Sequence, residues 1–103
     1  MQYELKSIFK DEMNLHLTLR KEELSPEAYR HYKHTVMLFD EYLHSINLSE
    51  KSIDEQVIEA WIKKISDGIS INTVGGHVHY IRRLLLFLID NGYYCFIPKT
   101  IAS

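Results

Sequence analysis

At 103 residues, with 46% hydrophobic and 25% charged positions, the chain has the size and composition of one ordered domain and is too apolar to be disordered. Its net charge of −2 excludes a global positive field, so any nucleic-acid partner must be held by a local patch. The lone Cys95 excludes an internal disulfide and a cysteine-built zinc site, and suits a reducing compartment.

The opening run MQYELKSIFKDEMN lacks the basic region and apolar stretch of a signal peptide. The longest apolar run, Leu84 to Ile89, falls far short of the roughly 20 residues that span a bilayer. A soluble, cytoplasmic protein with no membrane partner is expected.

Helical periodicity recurs along the chain and no strand-like alternation persists. A first helix is predicted from about Glu4 to Arg20, with Leu5, Ile8, Phe9, Met13, Leu15 and Leu19 as its apolar stripe. Ser25-Pro26-Glu27 opens the second: serine caps the orphan amides, proline is tolerated at the first helical position, and glutamate suits the positive end of the dipole. Tyr29, Tyr32, Val36, Phe39, Leu43 and Ile46 then recur in steps of three and four as a buried seam. Ser52 with Glu55 reads as a capping box for a third helix to about Ser66, which buries Val57, Ile58, Trp61, Ile62 and Ile65 and ends at Asp67-Gly68.

Ser70 caps a fourth helix that ends at Asn91-Gly92, with Val74, Val78, Ile81, Leu85 and Leu88 on one stripe and Leu84, Phe87 and Ile89 widening it. Pro98 bars further helix in the tail. Four helices with short links predict an all-α, compact four-helix bundle.

The fourth helix is apolar in its back half and polar in its front half, where Asn72, Gly75, Gly76, His79, Arg82 and Arg83 recur on one side. Each glycine costs a helix interior about 0.5–1 kcal/mol relative to alanine, so the pair implies that a bulky body approaches the backbone there. Among the six histidines, His31 with His34 and His77 with His79 lack the cysteines or carboxylates that complete a zinc site. Neither a phosphate loop nor a nucleophile motif is present, so no cofactor, small-molecule substrate or catalytic residue is expected.

These pieces, taken in order, resemble the N-terminal core-binding (SAM-like) domain of the tyrosine recombinases and phage integrases. Ser25, Tyr32, Val36 and Phe39 match the family's second helix, with Ala28 in place of its threonine. Trp61-Ile62 matches the third helix, and Gly68, Ser70, Thr73 and Val74 match the junction after it. Ile81-Arg82 and the exit Asn91, Gly92, Tyr93 and Pro98 match the fourth.

The resemblance implies a non-catalytic module, residues 1–98, that clamps double-stranded DNA through its second and fourth helices beside other recombinase protomers. Residues 99–103 would begin a linker to a separate catalytic domain carrying the tyrosine nucleophile. Asn72 and Thr73 would then meet phosphate or base, with Gly75 and Gly76 permitting close approach. His79 and Arg83 would reach base edges and Arg82 a phosphate, while Arg30, Lys33 and His34 on the second helix would add phosphate contacts. Asp40 and Glu41 would repel the duplex further along that helix. The alternative is a helical protein-interaction or oligomerisation module that docks through its acidic balance and an exposed tail, YYCFI.

Overall fold

Caps set the helix ends. In the computed structural model, which describes residues 4–99, Ser25 accepts from the Ala28 amide at 3.3 Å and Pro26 opens α2 (Pro26–Ser45). Before it lies α1 (Lys10–Glu23), and after it come α3 (Glu55–Ser66) and α4 (Ile71–Asp90). The chain is therefore all-α, with four helices among the described residues. None of them is long and apolar enough to cross a membrane. The chain divides between Lys51 and Ser52 into two compact units, one built on α1 and α2, the other on α3 and α4.

In the first unit, Phe9, Met13, Leu17, Tyr32, Val36, Phe39 and Leu43 are buried. The first helix begins at Lys10, not near Glu4, because the preceding backbone is held elsewhere. The amides of Lys6 and Ser7 each donate to the Asp40 carboxylate at 2.9 Å. Asp40 is wholly buried, so the expected surface acid facing a phosphate backbone is instead an internal clamp.

The stripe of α1 also differs from expectation. Leu15 and Leu19 are 52% and 44% exposed, whereas His16 is buried. The helical repeat explains the change: Phe9, Met13, His16 and Leu17 follow the spacing i, i+4, i+7, i+8, and Leu15 and Leu19 point the other way. Beyond Leu43 the seam of α2 opens, leaving Ile46 exposed. Asn47, in the left-handed region at φ 55°, closes the helix as the Leu48 amide reaches back to the Leu43 carbonyl. Lys51 and Glu12 form an ion pair at 2.7 Å between the end of this unit and α1.

The second unit contains what local periodicity omits, a two-residue parallel ladder. Ser52–Ile53 (β1) pairs with Tyr94–Cys95 (β2), Ser52 opposite Tyr94 and Ile53 opposite Cys95. The Phe96 amide extends it with a 2.8 Å bond to the Ile53 carbonyl. Because Ser52 lies in a strand, the cap of α3 is Asp54, whose carboxylate accepts from the Val57 amide at 3.0 Å. The expected capping box on Ser52 therefore does not form: the cap lies two residues later, and Val57 at its third position has no side-chain acceptor to return the bond. Of the apolar residues expected inside α3, Ile58 and Trp61 are buried and Val57, Ile62 and Ile65 are half-buried.

The helix α4 runs as expected from its Ser70 cap, with Val74, Val78, Ile81, Leu84, Leu85 and Leu88 buried. Phe87 is only half-buried and Ile89 is exposed, so the apolar sector widens less than its composition suggests. At its end Gly92 takes φ 93°, with its amide bonded to the Ile89 carbonyl and that of Tyr93 to the Leu88 carbonyl. That pair of bonds is the Schellman arrangement, and the positive φ explains the glycine. The tail is not a free apolar strip: Cys95 and Pro98 are buried, Tyr93, Phe96 and Ile97 half-buried, and Tyr94 alone within YYCFI is exposed. Burial pushes the Cys95 thiol up to about 11, so it is an inert packing residue.

Candidate nucleic-acid interface

At the start of α4 the Ser70 hydroxyl accepts from the Thr73 amide at 3.3 Å and lies 3.0 Å from the Thr73 hydroxyl. This cap satisfies one of the four amides that a helix start leaves without an internal partner. Ile71 and Asn72, in the same first turn, are exposed. Negative charge is favoured at such an end, and the first turn of α4 carries no acidic side chain of its own.

From that turn the exposed residues Asn72, Gly76, His79 and Arg83 follow one another in steps of four, three and four. At about 100° per residue these four fall within about 60° of arc, on the side of α4 opposite its buried stripe. A Cβ added to Gly76 would meet nothing within 4 Å, so open space lies over the backbone at the middle of the stripe. The apolar face beneath anchors the helix while the stripe faces outward.

The other expected contacts are sorted by the geometry. Thr73 is exposed on one flank, with its hydroxyl beside that of Ser70. Gly75 and Arg82 lie on the other flank, both half-buried. Arg82 is engaged internally, its guanidinium donating to the Pro98 carbonyl. Arg83, one residue and about 100° further round, is exposed.

Arg30 and His34, four apart, are exposed on one face of α2, and Lys33 beside them is half-buried. They form a cluster of their own in the first unit. In the same unit Arg20 lies over the Tyr32 ring at 5.1 Å and Lys21 over the Tyr29 ring at 6.0 Å. The His16 imidazole bonds to the Tyr32 hydroxyl, and burial, with Arg20 adding to it, lowers the His16 pKa to about 4. His16 is therefore neutral at physiological pH. Among the described residues no group of three His, Cys, Asp or Glu side chains comes together.

Two further cations lie near the stripe. Lys63 and Lys64, exposed in the last turn of α3, are joined through the connection 67–70 to the start of α4. That short link puts them at the same end of the second unit as Asn72. The signal was the length of the connection, which brings two consecutive helix ends together.

No family model matches the chain, and no curated protein and no solved structure matches it. The likeness to the recombinase core-binding domain rests on the sequence motifs alone.

Proposed function

We propose that the chain is a duplex-DNA-binding module, non-catalytic by itself, of the kind the core-binding domain supplies to a tyrosine recombinase. The observation that carries this reading is the exposed stripe Asn72, Gly76, His79 and Arg83 on a helix anchored by its other face. Asparagine and arginine are the side chains that pair with adenine and guanine edges in a major groove, and the open backbone at Gly76 admits the duplex closely. Lys63, Lys64 and the amides of the first turn serve as phosphate contacts within the second unit; the resemblance implies the same role for Arg30, Lys33 and His34, a separate cluster in the first unit. Arg82, expected at a phosphate, also holds the tail through its bond to the Pro98 carbonyl.

Few phosphates are neutralised by so small a cationic set, so binding by this chain is weak and strongly salt-dependent. Each phosphate contact adds about 0.9 to the slope of log K against log salt. The test is fluorescence anisotropy with a labelled duplex at low salt, comparing the natural chain with His79→Ala/Arg83→Ala. Loss of binding with unchanged helicity supports the reading. Equal affinity of the two proteins removes the stripe from the interface.

A second reading, a protein-interaction module, is favoured by the apolar residues at the head of the same helix. Ile71 is 60% exposed and Ile69 is exposed beside it, next to Asn72. Ile71→Ser separates the two, since it leaves duplex affinity within about twofold and disrupts a protein contact that buries the isoleucine.

A further inference from the structure

We propose that the second unit holds a separate peptide-docking groove, between α3 and the tail segment, that takes an apolar side chain flanked by basic residues. The groove has a volume of about 350 Å³. Its floor is apolar: Ile58 and Pro98 are buried, and Ile62 and Phe96 are half-buried. One edge is Glu55 and Glu59, exposed and one helical turn apart, and Lys99 stands among the lining residues.

The carboxylates identify the occupant. Glu55 and Glu59 lie at i and i+4 on α3, where like charges repel each other, and neither has an ion-pair partner among the described residues. Two carboxylates against the one ammonium of Lys99 leave the groove negative above an apolar floor. A side chain such as Trp or Leu fills the floor, and Lys or Arg on either side of it relieves the repulsion between the glutamates. An acidic or purely apolar segment gains only the first of these. The Arg82 bond to the Pro98 carbonyl holds the tail that forms one wall, so the groove is built before anything enters it.

The α4 stripe plays no part, so this site stands or falls independently of DNA binding. The test uses the full chain and two fluorescein-labelled probe peptides, each with a single tryptophan, flanked by lysines in one and by glutamates in the other. Saturable anisotropy with the lysine probe, and at least about fivefold weaker binding of the glutamate probe, is the expected result. The double variant Glu55→Gln/Glu59→Gln, made at exposed positions and checked for helicity by circular dichroism, should abolish that preference. Lys99→Gln should tighten the lysine probe.

Equal binding of the two probes, no saturable binding, or a preference that survives the double glutamine change each overturns the proposal. Concentration-dependent dimerisation that Glu59→Arg abolishes would assign the groove to a second copy of this chain, and also overturns it.

Discussion

The guanidinium of Arg82 donates to the main-chain carbonyl of Pro98, sixteen residues further along the chain. One side chain thereby fastens the tail to α4. Its neighbour Arg83, rotated by about a quarter turn or more, points to solvent on the exposed stripe. Two arginines adjacent in sequence thus have different physical work, one inside the unit and one on its surface.

This division separates stability from binding. Arg82→Ala removes the charged donor to the carbonyl of the buried Pro98 and should cost about 1–2 kcal/mol, read as a lower thermal midpoint. Arg83→Ala should leave the midpoint unchanged, weaken duplex binding and reduce the salt slope by about 1. A loss of stability in Arg83→Ala with none in Arg82→Ala would reverse the assignment.

Acidification should destabilise the first unit through His16. The folded protein holds this imidazole neutral, with its pKa lowered from 6.5 to about 4, chiefly by burial and further by Arg20. Above pH 6.5 neither state takes up the proton and His16 confers no pH dependence. As the pH falls from there towards 4 the unfolded chain binds a proton that the folded chain refuses, and stability declines. Below about 4 both states are protonated and the loss is complete, on the order of 3 kcal/mol. Urea titrations at pH 7 and pH 4.5 measure it, and His16→Gln should remove most of the difference. An identical pH dependence in that variant would exclude His16 as the source.

Asp40 should prove the costliest polar residue to alter. Its carboxylate receives two main-chain amides while wholly buried, and Asp40→Asn replaces one acceptor oxygen by an NH2 group that faces another donor. A loss of about 1.5–3 kcal/mol is expected, as for hydrogen bonds to charged groups. Hydrogen exchange gives a local readout: the amides of Lys6 and Ser7 should lose protection while those in the middle of α4 keep theirs.

Two glycines should respond in opposite directions. Gly76→Ala places a Cβ in open space within a helix and should stabilise the fold by about 0.5–1 kcal/mol. Gly92→Ala forces an L side chain into φ 93° and should destabilise by about 1 kcal/mol or more. If duplex DNA approaches the α4 backbone, Gly76→Ala should also weaken binding even as it raises the thermal midpoint. Tighter binding in that variant would exclude close approach.

Local residue chemistry was enough for α2 and α4, their starts at Ser25 and Ser70 and the stop at Asn91-Gly92. Caps and Schellman turns are bonds between residues three to five apart, so their chemistry is written locally. The period of 3.6 likewise gave the buried stripe of α4 and the exposed positions Asn72, Gly76, His79 and Arg83, but not the half-buried flank on which Gly75 and Arg82 lie. The tertiary structure alone decided where lone polar groups go. Asp40 and Ser7 meet across 33 residues, His16 and Tyr32 across 16, and Ser52 and Tyr94 pair across the two helices between them. Asp40 and His16 taken singly have the signature of surface, and only a partner distant in sequence stabilises their burial. The same holds for Arg82, whose acceptor is a main-chain carbonyl that no side-chain pattern announces.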